Sequence, residues 1–106
     1  MTETVQSKLS NTRAGERTRI WLEGKRLAAA GFKIGGKYLR AWSDGKLVLT
    51  PCTMAEFNKA TITDRGTISG KDDRPIIDII GAKVGETFKG THVSVTYSKG
   101  KVTING

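Results

Sequence analysis

The sequence predicts a mostly β domain with short helices, in which one structural unit occurs twice. Residues 31–38 (GFKIGGKY) and 81–88 (GAKVGETF) share one glycine spacing, and an apolar run precedes each of them. A strand, a tight turn and a second strand follow each copy, ending in KLVL at residues 46–49 and KVTI at residues 101–104. A chain of 106 residues has room for one modest core. We therefore expect a pseudo-twofold pair of half-domains that complete this core together.

The predicted boundaries divide the chain into a tail, two units and a linker. Residues 1–17 consist mainly of Thr, Ser, Asn, Gln and charged residues, a composition that predicts a flexible basic tail. The first unit is predicted over residues 18–52 and the second over residues 60–106, and both belong to one joint globular domain. Residues 53–59 link them, and Thr53 and Glu56 have the spacing of a capping box, which predicts a linker helix over residues 54–59.

The elements of the first unit follow from local signals. Residues 20–22 are predicted to form a short strand, and residues 24–30 a helix of about two turns. The alternation of Tyr38, Arg40 and Trp42 with Leu39 and Ala41 predicts a strand over residues 37–42. An Asp-Gly pair then predicts a two-residue hairpin turn, after which residues 47–50 return antiparallel.

The second unit has weaker signals. Residues 60–69 are predicted to form a small hairpin that supplies the opening strand. Asp72 or Asp73 is predicted to cap a second short helix, which ends at Gly81. Alternating apolar residues predict a final hairpin around Lys99-Gly100.

Charge and composition limit the function. The chain has 18 Lys and Arg against 10 Asp and Glu, a net charge of +8, and a pI near 9.9. This excess predicts a polyanionic partner, and the alternative is a charged surface that only maintains solubility. Cys52 is the only cysteine, so no disulfide forms within the chain. Without a signal peptide or an apolar run of membrane-spanning length, we expect a cytoplasmic protein with no membrane partner.

Groups for catalysis are few. His92 is the single imidazole, and no partner residue lies near it in the sequence. Asp72, Asp73 and Asp78 form the one carboxylate cluster, for which we favour helix capping over a divalent cation site. We predict no catalytic residue, no metal and no cofactor, and a nuclease is the alternative. Trp21, Tyr38 and Trp42 are expected to serve mainly in packing rather than base stacking.

The run Leu22-x-Gly24-Lys25-x-Leu27-x-x-Ala30-Gly31-Phe32-x-x-Gly35, within residues 18–51, is similar to SymE-like proteins of the AbrB-like (SpoVT-AbrB type) swapped-hairpin superfamily. The resemblance implies a pseudo-twofold swapped-hairpin barrel in tandem duplication. It also implies a double-stranded DNA-binding protein, a transcriptional regulator or toxin-antitoxin-related factor, with basic residues near the strand-to-helix joins. A SymE-like nuclease toxin is the alternative that the family suggests. The second unit has Gly70-Lys71-Asp72-Asp73-Arg74 in place of the Leu-x-Gly-Lys run, so the first unit is expected to contribute more of the binding.

We predict a phosphate-binding set of basic residues that converge on one face, whether the chain is a monomeric pseudo-dimer or a homodimer. RNA remains an alternative ligand. Another alternative is an inhibitor encoded by a mobile element that binds a host protein or nucleoprotein complex. The predicted set is Arg17, Arg19, Lys25, Arg26, Lys33, Lys37, Arg40, Arg65, Lys71 and Arg74.

Overall fold

The computed structural model of the chain describes residues 2–11 and 18–106, with the backbone alone at residues 10, 11 and 18. Within these ranges the chain forms ten strands and three short helices. None of these helices is long and apolar enough to cross a membrane. The elements are β1 (Glu3–Lys8), β2 (Ser10–Asn11), β3 (Thr18–Glu23), α1 (Lys25–Ala29), β4 (Lys37–Ser43), β5 (Lys46–Cys52), α2 (Met54–Lys59), β6 (Arg65–Thr67), β7 (Ser69–Lys71), β8 (Arg74–Ile80), α3 (Ala82–Thr87), β9 (His92–Ser98) and β10 (Lys101–Asn105).

The strands form two antiparallel sheets. One has six strands in the order β1-β9-β10-β5-β4-β6, and the other has four in the order β2-β3-β8-β7. The inward side chains of both sheets belong to one buried cluster, which includes Ile20 and Ile77 from the small sheet and Leu49 and Val102 from the large one. The prediction of a mostly β fold with short helices is confirmed, and its single core lies between the sheets.

The elements occur in a repeating order, and their alignment differs from the predicted one. Gly24 and Gly81 each directly precede a helix, with φ of 96° and 145°. Gly81 therefore begins α3, and the prediction that it ends a helix is wrong. The predicted second helix is strand β8, because its β-branched isoleucines pair with β3 and pack inward at Ile77 and Ile79. The repeat is thus β3-Gly24-α1-β4-β5 followed by β8-Gly81-α3-β9-β10.

Strand pairing shows the pseudo-twofold relation. Between β3 and β8, Ile20 lies opposite Ile79 and Leu22 opposite Ile77. Aligning Gly24 with Gly81 exchanges these two pairs, which is the signature of a local twofold axis. The pairing of β5 with β10 has the same symmetry. When the turns at Gly45 and Gly100 are aligned, the pair Leu47–Ile104 exchanges with the pair Leu49–Val102. The axis passes between the opposed residues Trp21 and Asp78 in one sheet and between Val48 and Thr103 in the other.

The prediction of a flexible tail is wrong for residues 3–11. Strand β1 pairs along its whole length with β9 of the second unit. Leu9 is buried, and its N–H donates to the Thr91 carbonyl at 2.8 Å. In the second unit, β6 pairs with β4 of the first, and the Ile68 N–H donates to the Gly36 carbonyl at 2.9 Å. Each unit therefore begins with a strand that joins the hairpin of the other, while residues 12–17 lie outside the described residues.

The start of the second unit also differs from the prediction. Residues Ile62–Asp64 form a 3-10 turn instead of half a hairpin, and β6 pairs with β4. Asp72 and Asp73 have φ of 53° and 63° and join Lys71 to its partner Arg74. Two consecutive positive φ values are typical of a type I′ hairpin turn, and Asp tolerates this conformation better than most residues. These carboxylates thus form a turn between β7 and β8 and cap no helix.

The linker helix is confirmed as predicted. The Glu56 N–H donates to the Thr53 hydroxyl at 3.2 Å, and the Thr53 N–H donates to the Glu56 carboxylate at 2.9 Å. These bonds form the capping box of α2. The bond from the Thr53 backbone also lowers the pKa of Glu56. The hairpin turns at Gly45 and Gly100 agree with the sequence as well, with φ of 62° and 79°.

The close approach of β6 to Tyr38 makes a testable prediction. A Cβ on Gly66 would lie 2.4 Å from the Tyr38 ring, and Tyr38 is almost completely buried. We expect Gly66→Ala to lower the free energy of unfolding by about 1–3 kcal/mol, because the ring has no space to move away. Urea denaturation measures the change. Gly90→Ala is the control, since its nearest atom would be 3.9 Å away. Equal stability of both variants would contradict the contact.

Candidate nucleic-acid interface

The structure distributes the predicted basic residues over several surfaces. Arg19, Lys71 and Arg74 belong to the four-stranded sheet, whereas Lys37 and Arg65 point outward from the six-stranded sheet. Because the core lies between the sheets, their outward faces point in opposite directions. Lys25 and Arg26 are on α1, Lys33 follows it in a loop, Arg40 is on β4, and Arg17 lies outside the described residues. The described members of the set therefore do not share one continuous face.

The charge of Arg19 is compensated within the protein. Its Nε and Nη2 atoms donate to the two carboxylate oxygens of Asp78, each at 2.7 Å. This bond is the main cause of the raised pKa of Arg19. The guanidinium also lies 4.9 Å from the ring centroid of Trp21, which is 41% exposed. An arginine held in this way fixes the pairing of β3 with β8 and contributes little net charge toward a polyanion.

The strand-to-helix join of the first unit has mixed charge. Arg26 forms an ion pair with Glu3, with Nε and Oε1 3.1 Å apart. A shallow depression of about 550 Å³ is lined here by Glu3, Glu23, Lys25, Arg26 and Arg74. Two carboxylates thus offset the cations that were predicted to bind phosphate. The contribution of Glu3 was missed because it lies in the segment predicted as a tail.

Lys37 and Arg65 hold the linker helix on the sheet. The Lys37 ammonium is 4.8 Å from the ring centroid of Phe57 and donates to the Thr67 hydroxyl at 3.0 Å. The Arg65 guanidinium is 4.5 Å from the same ring, and its Nη1 donates to the Phe57 carbonyl at 3.0 Å. Phe57 lies between two cations, which is a favourable arrangement for an aromatic ring. These contacts give both residues a structural role in docking α2.

We call the outward side of the six-stranded sheet the outer face. None of the strand side chains that point to this side is Asp or Glu. Its basic side chains are Lys8, Lys37, Lys46, Arg65 and Lys101. The rest are mostly small and polar. The full set is Thr4, Gln6, Lys8, Lys37, Leu39, Ala41, Ser43, Lys46, Val48, Thr50, Cys52, Arg65, Thr67, His92, Ser94, Thr96, Ser98, Lys101, Thr103 and Asn105.

Hydroxyl and amide groups are ordered across the outer face. The hydroxyls of Thr4 and Thr96 are 3.0 Å apart, and Gln6 Nε2 donates to the Ser94 hydroxyl at 2.8 Å. Two carboxylates near the α2 end are already engaged. Glu56 belongs to the capping box, and Asp64 accepts from the Thr61 hydroxyl at 3.0 Å. The outer face is therefore a cationic surface with many hydrogen-bonding groups.

Lys46 and Lys101 were missed as candidate residues. Each is exposed and directly follows a hairpin turn, and the two are related by the pseudo-twofold axis. Strand alternation in the sequence could have identified them. Successive side chains of a strand point to opposite sides of the sheet, so Lys46 points away from the core because Leu47 is buried, and Lys101 does so because Val102 is buried.

The candidate catalytic groups are separate from one another. His92 is exposed on the outer face, with Nδ1 3.0 Å from the Thr91 hydroxyl. Asp72 and Asp73 form their turn, and Asp78 binds Arg19. Across residues 2–11 and 18–106, no three His, Cys, Asp or Glu side chains lie close enough together to hold a metal ion.

Cys52 is a half-buried free thiol on β5. Burial first, and then the charge of Glu56, raise its pKa. A raised pKa means less thiolate at a given pH, so we expect alkylation by iodoacetamide to rise at a higher pH than in the urea-unfolded chain. Glu56→Gln should move this inflection to lower pH, and Asp44→Asn should leave it in place. The same inflection in the folded and unfolded chains would contradict the prediction.

Comparison of the chain with models of known protein families, with curated proteins and with solved structures gives no match.

Proposed function

We propose that this chain is a DNA-binding domain of the AbrB-like swapped-hairpin type that holds double-stranded DNA by its phosphate backbone. In this proposal it acts as a transcriptional regulator or a toxin-antitoxin-related factor. The observation that supports it best is the outer face, where the outward side chains of the strands include Lys8, Lys46 and Lys101 and no carboxylate. Neutralising phosphates with such a surface releases counterions, and this release supplies most of the affinity in non-specific DNA binding.

Strand exchange supports the fold part of the proposal. Strand β1 lies beside the second hairpin, and β6 lies beside the first. Two units that exchange their first strands cannot separate without breaking the six-stranded sheet. This exchange within one molecule supports the swapped-hairpin type that the resemblance implies.

Two features favour duplex over single-stranded nucleic acid. Lys46 lies opposite Asn105, four residues along β10 from Lys101, which places the two lysine Cα atoms about 14 Å apart. The two lysines are related by a twofold axis, as are the two backbones of a DNA duplex. Their spacing is also close to the width of the major groove, about 12 Å. The strand residues of the outer face also include no Phe, Tyr or Trp, and the ring of Phe57 on α2 is already in contact with Lys37 and Arg65. Proteins that bind single strands rely on such rings for base stacking.

Fluorescence anisotropy with a labelled duplex of about 20 base pairs tests the proposal. Between about 50 and 200 mM KCl, we expect log K to fall linearly with log salt concentration, with a slope of about −3 to −5 for three to five phosphate contacts. The single strand of the same sequence should bind more weakly. Affinity that does not depend on salt, or a preference for the single strand, would contradict the proposal.

A further inference from the structure

Two clefts lie between the helix of one unit and the hairpin of the other. The first, of about 270 Å³, is formed by α1 and the β9–β10 turn, with Arg26 and Tyr97 in its lining. The second, of about 320 Å³, is formed by α3 and β4, with Lys83 and Trp42 in its lining. The repeat places Lys83 at the position of Arg26 and Trp42 at the position of Tyr97. The clefts are therefore pseudo-twofold equivalents, and at these two positions each has a cation and an aromatic ring.

The two clefts differ in their acidic groups. In the first, Glu3 pairs with Arg26 at 3.1 Å. The repeat places Ile62 at the position of Glu3 and Ile80 at that of Glu23. Both isoleucines are exposed, Ile62 by 78% and Ile80 by 44%. Ile80 lines the second cleft, and Ile62 directly precedes Thr63 of its lining. At these two positions the second unit thus has apolar side chains in place of the carboxylates of the first unit.

An aromatic ring and two cations define the second cleft. The Trp42 Nε1 donates to the Thr63 carbonyl at 2.9 Å, so the polar edge of the indole is satisfied within the protein. The Lys83 ammonium lies 5.8 Å from the centroid of this ring. Arg40 is half-buried, and its Nε and Nη2 share one acceptor, the Tyr38 hydroxyl, at 3.3 and 3.1 Å.

These cations have no acidic partner in the part of the chain that the structure describes. Neither Lys83 nor Arg40 has a carboxylate oxygen within 4.0 Å there. Glu86 is the one carboxylate in the lining. A half-buried guanidinium with a single phenol oxygen as acceptor retains unused N–H donors, which favours a bound anion.

We propose that the second cleft binds a small amphipathic carboxylate, with its apolar body against Trp42 and Ile80 and its carboxylate on Lys83 and Arg40. The carboxylate of the ligand takes the part that Glu3 has in the first cleft. The cleft volume is at the lower end of the range for small-molecule sites and suits a ligand of about a dozen non-hydrogen atoms. This proposal concerns the opposite side of β4 from the outer face and does not depend on DNA binding.

An NMR titration of the ¹⁵N-labelled chain with naphthalene-2-carboxylate tests the site. We expect saturable shifts of the Trp42 indole N–H and of the backbone amides of Gly81 and Lys83. The uncharged naphthalene-2-carboxamide has the same shape and should bind at least about fivefold more weakly, because it lacks the negative charge. Equal binding of the two compounds would overturn the proposal, as would shifts centred on Lys46 and Lys101 of the outer face.

Three variants separate the cleft from general anion binding. Lys83→Gln should weaken naphthalene-2-carboxylate binding by about fivefold, whereas Lys99→Gln, in the lining of the first cleft, should not change it. Ile80→Glu restores the carboxylate that the first unit has at this position and should abolish binding. Equal weakening by Lys83→Gln and Lys99→Gln would overturn the assignment, and so would retained binding in Ile80→Glu.

Discussion

Removal of residues 2–9 is expected to lower the free energy of unfolding by about 3–5 kcal/mol, a large part of the stability of a domain of this size. The deleted segment pairs with β9 over six residues. The deletion also removes Leu9, which is 9% exposed and lies in the core. Its loss leaves the hydrogen-bonding edge of β9 open and exposes the apolar residues beneath it.

Urea denaturation of the full chain and of the deletion variant measures this effect. Leu9→Ala provides a graded version and should cost about 2–3 kcal/mol, which remains measurable if the deletion variant does not fold. Lys8→Ala is the matched control within the same strand, because its side chain is exposed. An unchanged unfolding midpoint after deletion would show that this segment is a tail after all.

The first unit was predicted well because its signals are local. The capping box at Thr53, the turn at Gly45 and the alternation along β4 each depend on residues within one turn or one strand. Strand β1 has no such signal. Its one apolar residue is Val5, and its partner β9 lies about 90 positions away. Composition alone cannot reveal a pairing at that distance, because the partner strand supplies most of the apolar surface.

The second unit shows where apolar runs are ambiguous. The segment Ile76-Ile77-Asp78-Ile79-Ile80 has no clear helical or strand period by itself, and β3 is what fixes it as a strand. Asp78 was predicted as part of a carboxylate cluster with Asp72 and Asp73, whereas it binds Arg19 across two strands. The misaligned repeat had the same origin, since Gly31 and Gly81 match in sequence spacing but lie at opposite ends of their helices.

Net charge predicts a polyanionic partner, but it does not predict which surface such a partner would contact. Arg19 and Arg26 are paired with carboxylates that are distant in sequence, Asp78 and Glu3. Such pairs depend on tertiary structure. The residues of the outer face could be predicted from the sequence, because alternate residues of a strand point to the same side of the sheet. This prediction requires that each strand is first assigned correctly.

The double variant Lys46→Gln/Lys101→Gln is expected to weaken duplex DNA binding by about 60-fold at about 0.1 M salt and to reduce the magnitude of the salt slope by about 2. Each lysine is proposed to neutralise one phosphate, and each contact contributes about 0.9 to the slope. Both side chains are exposed, so the substitutions should leave the urea midpoint unchanged. Fluorescence anisotropy over a series of salt concentrations measures both quantities.

The matched control is Lys25→Gln/Lys71→Gln, which removes the same charge at two exposed positions outside the outer face. Because both double variants have the same net charge, a purely long-range attraction would weaken equally in the two. Specific contact at the outer face predicts loss in the first variant and a change of less than about fivefold in the control. The reverse order would place the DNA at the strand-to-helix join, where Lys25 and Arg74 lie beside Glu23. That result would support the contacts implied by the family resemblance and would contradict binding at the outer face.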